Sequence, residues 1–233
     1  MLQPDKQYER LALLLCYLGA LTVTGKTRTA KWTLAIPNLV MRKLYAERLL
    51  ELTFPTPSTR DAAQDAADLL FAQGDIAPLC DFVEQHYFPI YDNRDYKDFN
   101  ELTLKTLFLA LLYHTNLYIM DSEPALQRTY ADLTMILRPE MRHYSVYDLL
   151  LEFKYVPLKD VRVGKQAVTG QELREMLEAD IAALETVQEK MGEAEAQLQR
   201  YQQTLQQKYG AALKLRTFAL VSVGLERLIW KAV

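Results

Sequence analysis

The chain reads as a mixed helix-and-strand protein, α+β grading into α/β, with a small helical domain over residues 1–95 and a larger domain over 96–233. Three observations predict this. Short apolar runs bounded by polar or Pro/Gly breaks, at 117–120, 129–137, 146–156 and 215–223, have the length and composition of strands. Apolar residues three and four apart at Leu104, Leu107, Phe108, Leu111 and Leu112 mark a helix that packs on a sheet. A long polar-faced stretch over 169–209 separates the third strand from the last ones, giving the order helix, three strands, helix, strand.

The first elements are a helix over 7–18, a hairpin from 21–24 and 31–36, and a second helix over 38–52 that Asn38 caps after Pro37. This helix, hairpin, helix order is winged-helix-like. Residues 20–27 loosely match a phosphate-binding loop ending in Gly25-Lys26-Thr27. Such a loop needs a strand before it and a helix starting at its lysine. Here a helical run precedes the match and a strand-like run follows, so Gly25 is expected to turn a hairpin rather than cradle phosphate. Pro55 to Ser58 break the chain, and 60–73 and 76–87 form a helical pair joined at Gly74. A connector over 89–95 leads into the larger domain.

Within that domain the three strands follow one another through short connections, which favours antiparallel pairing. Thr169-Gly170-Gln171-Glu172 is a capping box that opens the long helical stretch. Leu177, Leu184, Met191, Leu198 and Leu205 recur every seven residues there, with Ile181 beside them, as a coiled-coil seam would have it. The complementary positions, however, hold Gln188, Glu195 and Gln202. An amphipathic helix lying on one sheet face, broken at Gly192, is therefore the expectation, with a homodimer through the seam as the alternative. The last strands, 215–223 and 225–230, turn at Gly224.

Length and composition set bounds. The 233 residues, 50% hydrophobic, suffice for one large core or two modest ones, and the periodicities favour two. Cys16 and Cys80 lie far apart in apolar helical contexts, which argues for free thiols in a reducing cytoplasm and against a disulfide framework or a zinc site. No signal peptide or membrane-length apolar run is apparent, so no membrane partner is expected. The formal net charge of −3 offers no global field to attract nucleic acid, although Lys26, Arg28, Lys31, Arg42, Lys43 and Arg48 face only Glu47 across residues 26–48.

The strand at 146–156 carries Glu152 and Lys154 two residues apart, hence on one side, with Leu151, Phe153 and Tyr155 on the other. By itself this is also what a surface ion pair on a half-exposed sheet produces. Asp132 on the preceding strand, beyond the break at Pro139, changes the balance. Two acids and an amine suit metal-assisted phosphodiester hydrolysis: carboxylates hold a hard divalent cation, and the ammonium steadies the nucleophile and the charge developing at phosphorus.

Asp132 followed by Glu152-x-Lys154 resembles the signature of the PD-(D/E)XK nuclease superfamily. Glu101 at the head of the preceding helix and Gln197-Leu198-x-x-Tyr201 on the following one resemble the flanking motifs of its RecB-like branch. The resemblance implies a restriction-endonuclease-like core and a nuclease dependent on Mg²⁺ or Mn²⁺, with DNA the expected substrate. It implies Asp132, Glu152 and the Phe153 carbonyl as metal ligands, Lys154 as catalytic amine, Glu101 acting through water, and Gln197 and Tyr201 supporting the site or contacting substrate. Asp148 is a spare acid on the Glu152 face. In particular the chain resembles the C-terminal nuclease domain of bacterial proteins that carry an AAA-ATPase-like module, since 11–23 and 32–42 are similar to the stretch that closes that module. The ATPase core is expected to be absent, which leaves an ATPase acting in trans as a partner to consider. The competing expectation is a nuclease fold without activity that binds nucleic acid or a protein partner.

Overall fold

The computed structural model describes residues 4–91, 99–113, 117–121, 132–164 and 166–233. Parts of the expected connector (92–95) and of the expected 129–137 strand (129–131) lie outside them. The chain packs as two units, Met1–Leu49 and Leu50–Val233.

In the first unit, helix α1 (Pro4–Tyr17) precedes an antiparallel hairpin of β1 (Thr22–Lys26) and β2 (Trp32–Ala35), and α2 (Leu39–Thr53) starts beyond it. Asn38 caps α2 as expected, its Oδ1 accepting from the Met41 amide at 2.9 Å. Gly25 does not turn the hairpin. It forms a bulge in β1, and the turn lies at Thr27 to Ala30, closed by Thr27 and Lys31 and completed by Ala30 at φ 62°. Lys26 lies in a strand with its ammonium 4.0 Å from the Trp32 ring centroid, which excludes the phosphate-loop geometry. Leu13, Tyr17, Trp32 and Val40 are all exposed, and Ala46 is the one buried apolar residue described in this unit.

The second unit begins with α3 (Pro57–Gln73) and α4 (Ala77–Phe82), joined where Gly74 takes a left-handed conformation and its amide closes on the Leu70 carbonyl. Their apolar faces, with Leu70, Phe71, Leu79 and Phe82, merge into the same core as the sheet. The helical pair that a boundary near 95 would assign to the amino-terminal domain thus packs with the larger one, its apolar faces sharing one core with α5 and the sheet. Helix α5 (Glu101–Leu111), capped by Asn100, adds its expected stripe to this layer.

The sheet follows from three connected strands, β3 (Tyr118–Asp121), β4 (Leu133–Leu137) and β5 (Asp148–Val156). A ribbon of β6 (Arg162–Val163) and β7 (Gln166–Ala167) leads to α6 (Gly170–Glu175), α7 (Glu178–Ala182) and α8 (Glu185–Tyr209). Strands β8 (Leu215–Val223) and β9 (Arg227–Ala232) end the chain. The five strands lie in the order β3-β4-β5-β8-β9, antiparallel except that β5 runs parallel to β8 through nine paired residues. A parallel pair needs a crossover, and α8 supplies it over the face opposite α3 and α5. The result is a mixed sheet between two helical layers, consistent with the restriction-endonuclease-like fold.

The expected 169–209 helix is three helices. Thr169 and Glu172 form the capping box, but the backbone becomes extended at Met176 and Leu177 and again at Leu184, whereas Gly192 lies inside continuous α8. The two breaks let one apolar residue from each helix, Leu173, Ile181 and Val187, reach one cluster on the sheet. The heptad seam is therefore not a dimer surface: Leu177 is exposed, and Met191, Leu198 and Leu205 are buried against the same chain's strands. Cys80 is buried and Cys16 half-buried, both as free thiols. Among the described residues no helix is long and apolar enough to cross a membrane.

Asp148 opens β5 fully buried, and its carboxylate accepts from the Leu137 amide at 2.7 Å, the Lys214 amide at 2.8 Å and Arg142 Nη1 at 2.6 Å. It ties the ends of β4, β5 and β8 together. Asp148→Ala leaves these donors and the Arg142 charge without their acceptor, and is expected to lower unfolding stability by about 3–5 kcal/mol in urea titrations.

Candidate active site

Strand β5 is central and covered on both faces, so nearly all of it is buried. Leu149, Leu151 and Phe153 enter the core beneath α3 and α5, while Leu150 and Val156 enter the core beneath α8. Glu152 and Lys154 share the parity of the second set and interrupt it with charge, at 2% and 8% exposure. A half-exposed surface pair would not be so enclosed. Antiparallel register places Leu133 opposite Leu151, so Asp132, one residue before β4, arrives beside Glu152. Asp132 Oδ2 accepts from the Phe153 amide at 2.9 Å, and Glu152 Oε2 accepts from the Asp132 amide at 3.3 Å.

Two ammonium groups compensate these acids. Lys154 Nζ donates to Glu152 Oε1 at 2.8 Å and to the Phe153 carbonyl at 3.1 Å, and stands 3.7 Å from Glu101 Oε1. Lys105 Nζ lies 3.4 Å from Asp132 Oδ1. A cleft of about 390 Å³, lined by Asn100, Glu101, Leu102, Lys105 and Asp132, opens beside them. The Asn100 side chain accepts from the Thr103 amide, which starts α5 so that Glu101 faces this cleft from its first turn.

The donor set is hard oxygen: the carboxylates of Asp132 and Glu152 and the Phe153 carbonyl, each already attracting a positive or N–H donor. Among the described residues no group of three or more His, Cys, Asp or Glu forms a metal cage. The two carboxylates and the carbonyl suit a small divalent cation that keeps several waters and takes one or two carboxylates from the protein. The residues present fit such an ion.

Burial, reinforced by the charge of Asp132, pushes the Glu152 carboxyl up to about 7 against the pull of Lys154. Burial likewise raises Glu101, opposed by Lys154. For Lys154 burial acts downward, but the Glu152 hydrogen bond and the charges of Glu152, Glu101 and Asp132 outweigh it and hold the amine above its ordinary value. Lys154 is consequently an ammonium at neutral pH.

Of the residues singled out from sequence, Glu101, Asp132, Glu152, Lys154 and the Phe153 carbonyl come together. Gln197 and Tyr201 lie on α8. Tyr201 is buried in the cluster beneath that helix, and the buried Gln197 Oε1 has no hydrogen-bond partner among the described residues. Neither faces solvent freely. Asp148 is no spare site acid, because it is spent at the opposite end of β5 on Arg142 and two amides. Sequence reasoning missed Lys105. Its signal was a single amine on the face of α5 shared by Glu101, Phe108 and Leu112, positions an apolar stripe would fill.

The family model of the PD-(D/E)XK nuclease superfamily matches residues 99–231, from the cap of α5 into β9. No curated protein and no solved structure matches the chain.

A carboxyl whose folded pKa is raised stabilises the fold fully below its unfolded pKa and loses that contribution as pH rises through the folded value. The metal-free protein is therefore expected to show a falling thermal midpoint as pH rises through about 7. Glu152→Gln, which keeps the shape and removes the titration, should flatten that slope in differential scanning calorimetry.

Proposed function

This chain belongs to the PD-(D/E)XK nuclease superfamily, and we propose that it is a divalent-metal-dependent nuclease hydrolysing phosphodiester bonds in DNA. The observation that carries this reading is the convergence of Asp132, Glu152 and Lys154 at one cleft, with hydrogen bonds fixing both carboxylates. Asp132, Glu152 and the Phe153 carbonyl would hold Mg²⁺ or Mn²⁺. Once bound, the cation supplies Lewis-acid polarisation of the phosphate and an activated water.

The chain's own groups do the remainder. Lys154, kept protonated by its acidic neighbours, orients the attacking water and stabilises negative charge gathering on the phosphoryl oxygens. Glu101, half-exposed to the cleft, acts on the metal environment through water. Gln197, whose Oε1 has no hydrogen-bond partner among the described residues, takes a supporting role beside Tyr201. The resemblance of 11–42 to the end of an ATPase-like module adds an ATPase in trans as a partner of the same reading.

The acidic balance favours a second reading, a nuclease-fold module that binds nucleic acid or protein without cutting. Plasmid and linear DNA incubated with the protein in Mg²⁺ or Mn²⁺ separate the two. The nuclease reading expects cleavage that EDTA stops, reduced by at least about 100-fold in Asp132→Ala and Lys154→Ala. Absence of cleavage on every substrate, or equal cleavage by the variants, supports the second.

A further inference from the structure

From Arg10 to Ala46 the chain carries six basic residues, Arg10, Lys26, Arg28, Lys31, Arg42 and Lys43, and no acid, in a protein whose formal net charge is −3. Three of them gather on the β1–β2 hairpin. Lys26 ends β1, Lys31 precedes β2, and Arg28 stands on the turn between them, all exposed. Lys43 has Glu47 as its partner on α2, but among the described residues no carboxylate is paired with Lys26, Arg28 or Lys31. The turn that presents them is tied down. The Thr27 amide donates to the Lys31 carbonyl at 2.8 Å, and Thr27 Oγ1 accepts from the Lys31 amide at 3.1 Å and lies 3.0 Å from Thr29 Oγ1. Charges held on an ordered turn lose less freedom when a ligand arrives.

The same hairpin shows an aromatic ring to water. Cross-strand pairing sets Lys26 opposite Trp32 and Val23 opposite Leu34, so these four share one face. Trp32 is 64% exposed there, whereas an indole is ordinarily well buried. The Lys26 ammonium lies over the ring, 4.0 Å from its centroid, and the rest of the indole stays open. An open π-face beside three cations is the combination that holds single-stranded nucleic acid: a base stacks on the ring, and the phosphates on either side meet the charges. An apolar protein partner has no use for that positive surround. A duplex, whose bases are already stacked on one another, offers the cations its phosphates but offers Trp32 nothing.

We infer that the β1–β2 hairpin is a binding element for single-stranded nucleic acid, in which Trp32 stacks on an unpaired base while Lys26, Arg28 and Lys31 contact the flanking phosphates. The inference deepens the reading above by naming unpaired nucleic acid as what the protein captures, and it rests on that reading for nucleic acid as the ligand. It also gives an acidic chain a local means of capture, since the field that matters to a phosphate is the one within about a Debye length, roughly 10 Å, of it.

The test measures binding of the full chain in EDTA, where no cutting occurs, by fluorescence anisotropy at several salt concentrations. The probes are a labelled oligothymidylate of about twenty nucleotides, longer than one such binding element covers, and a labelled duplex of equal length. Trp32→Ala should weaken binding to the oligothymidylate about tenfold and leave duplex binding unchanged, and Trp32→Phe, which keeps a ring, should retain most of the affinity. Arg28→Ala combined with Lys31→Ala should make the log–log salt slope shallower by about 1.4, two single-strand phosphate contacts. Lys208→Ala, which removes an exposed base from α8, should change neither. Thermal melting checks folding, and the exposed turn variants remain readable if Trp32→Ala melts early. Equal binding by every variant, or no oligothymidylate binding by wild type, overturns the inference. So does a Trp32→Ala protein with full affinity that has lost self-association in light scattering, which makes the ring a protein contact. Cleavage is assayed separately in Mg²⁺: a protein that cuts while its hairpin variants bind normally overturns this inference alone, and hairpin-dependent binding by a protein that cuts nothing overturns the nuclease reading alone.

Discussion

Four charges share the interior where β4 and β5 meet α5, and each is tolerable only because an opposite charge meets it. Taking a carboxylate or an ammonium out of water costs several kcal/mol after relaxation, about as much as a small domain's whole margin of stability. Lys154 against Glu152 and Lys105 against Asp132 offset that cost, and the Phe153 and Asp132 amides take the remaining oxygens. The architecture around them follows from this need. Strand β5 must present Glu152 and Lys154 on one side, β4 must end beside Glu152, and α5 must bring Glu101 and Lys105 over both. No single element builds the site, and none can shift without stranding a charge.

The same electrostatics divides labour between two acids that look alike in sequence. Asp148 and Glu152 lie four residues apart on one strand face. Asp148 meets a guanidinium and two backbone amides, so both its oxygens are engaged in joining strand ends. Glu152 meets one lysine and one amide, and burial beside Asp132 raises its carboxyl toward neutrality. The first is locked as structure. The second is less fully engaged, as the metal-ligand role proposed for it requires.

Much of this was legible in the chain because it is local. The stripe of α5, the capping box at Thr169, the turn at Gly74 and the Glu152-x-Lys154 parity all depend on neighbours within a few residues. What escaped depends on distant partners. The extended kinks at Leu177 and Leu184 exist to aim successive helices at one sheet, and a seven-residue repeat cannot reveal that its leucines face β5 and β8 instead of a second chain. The packing of α3 and α4 with the sheet is likewise decided by which apolar surface lies within reach. Lys105 was overlooked because a lysine in a helix is ordinarily solvated, and only its burial against Asp132 distinguishes it.

The nine-residue parallel pairing of β5 with β8 also bears on how this fold can diverge. Between β4 and β5 the segment Arg138 to Tyr144 loops outside the sheet and carries no site group, so a change of length there that keeps Arg142 on Asp148 spares the site. Inside β5 a single inserted residue before Glu152 exchanges the two faces from there onward, sending both charges into the apolar layer under α5. Length variation among descendants of this chain should therefore collect in the connections, while β5 keeps its count. The strand acts as a ruler for the chemistry.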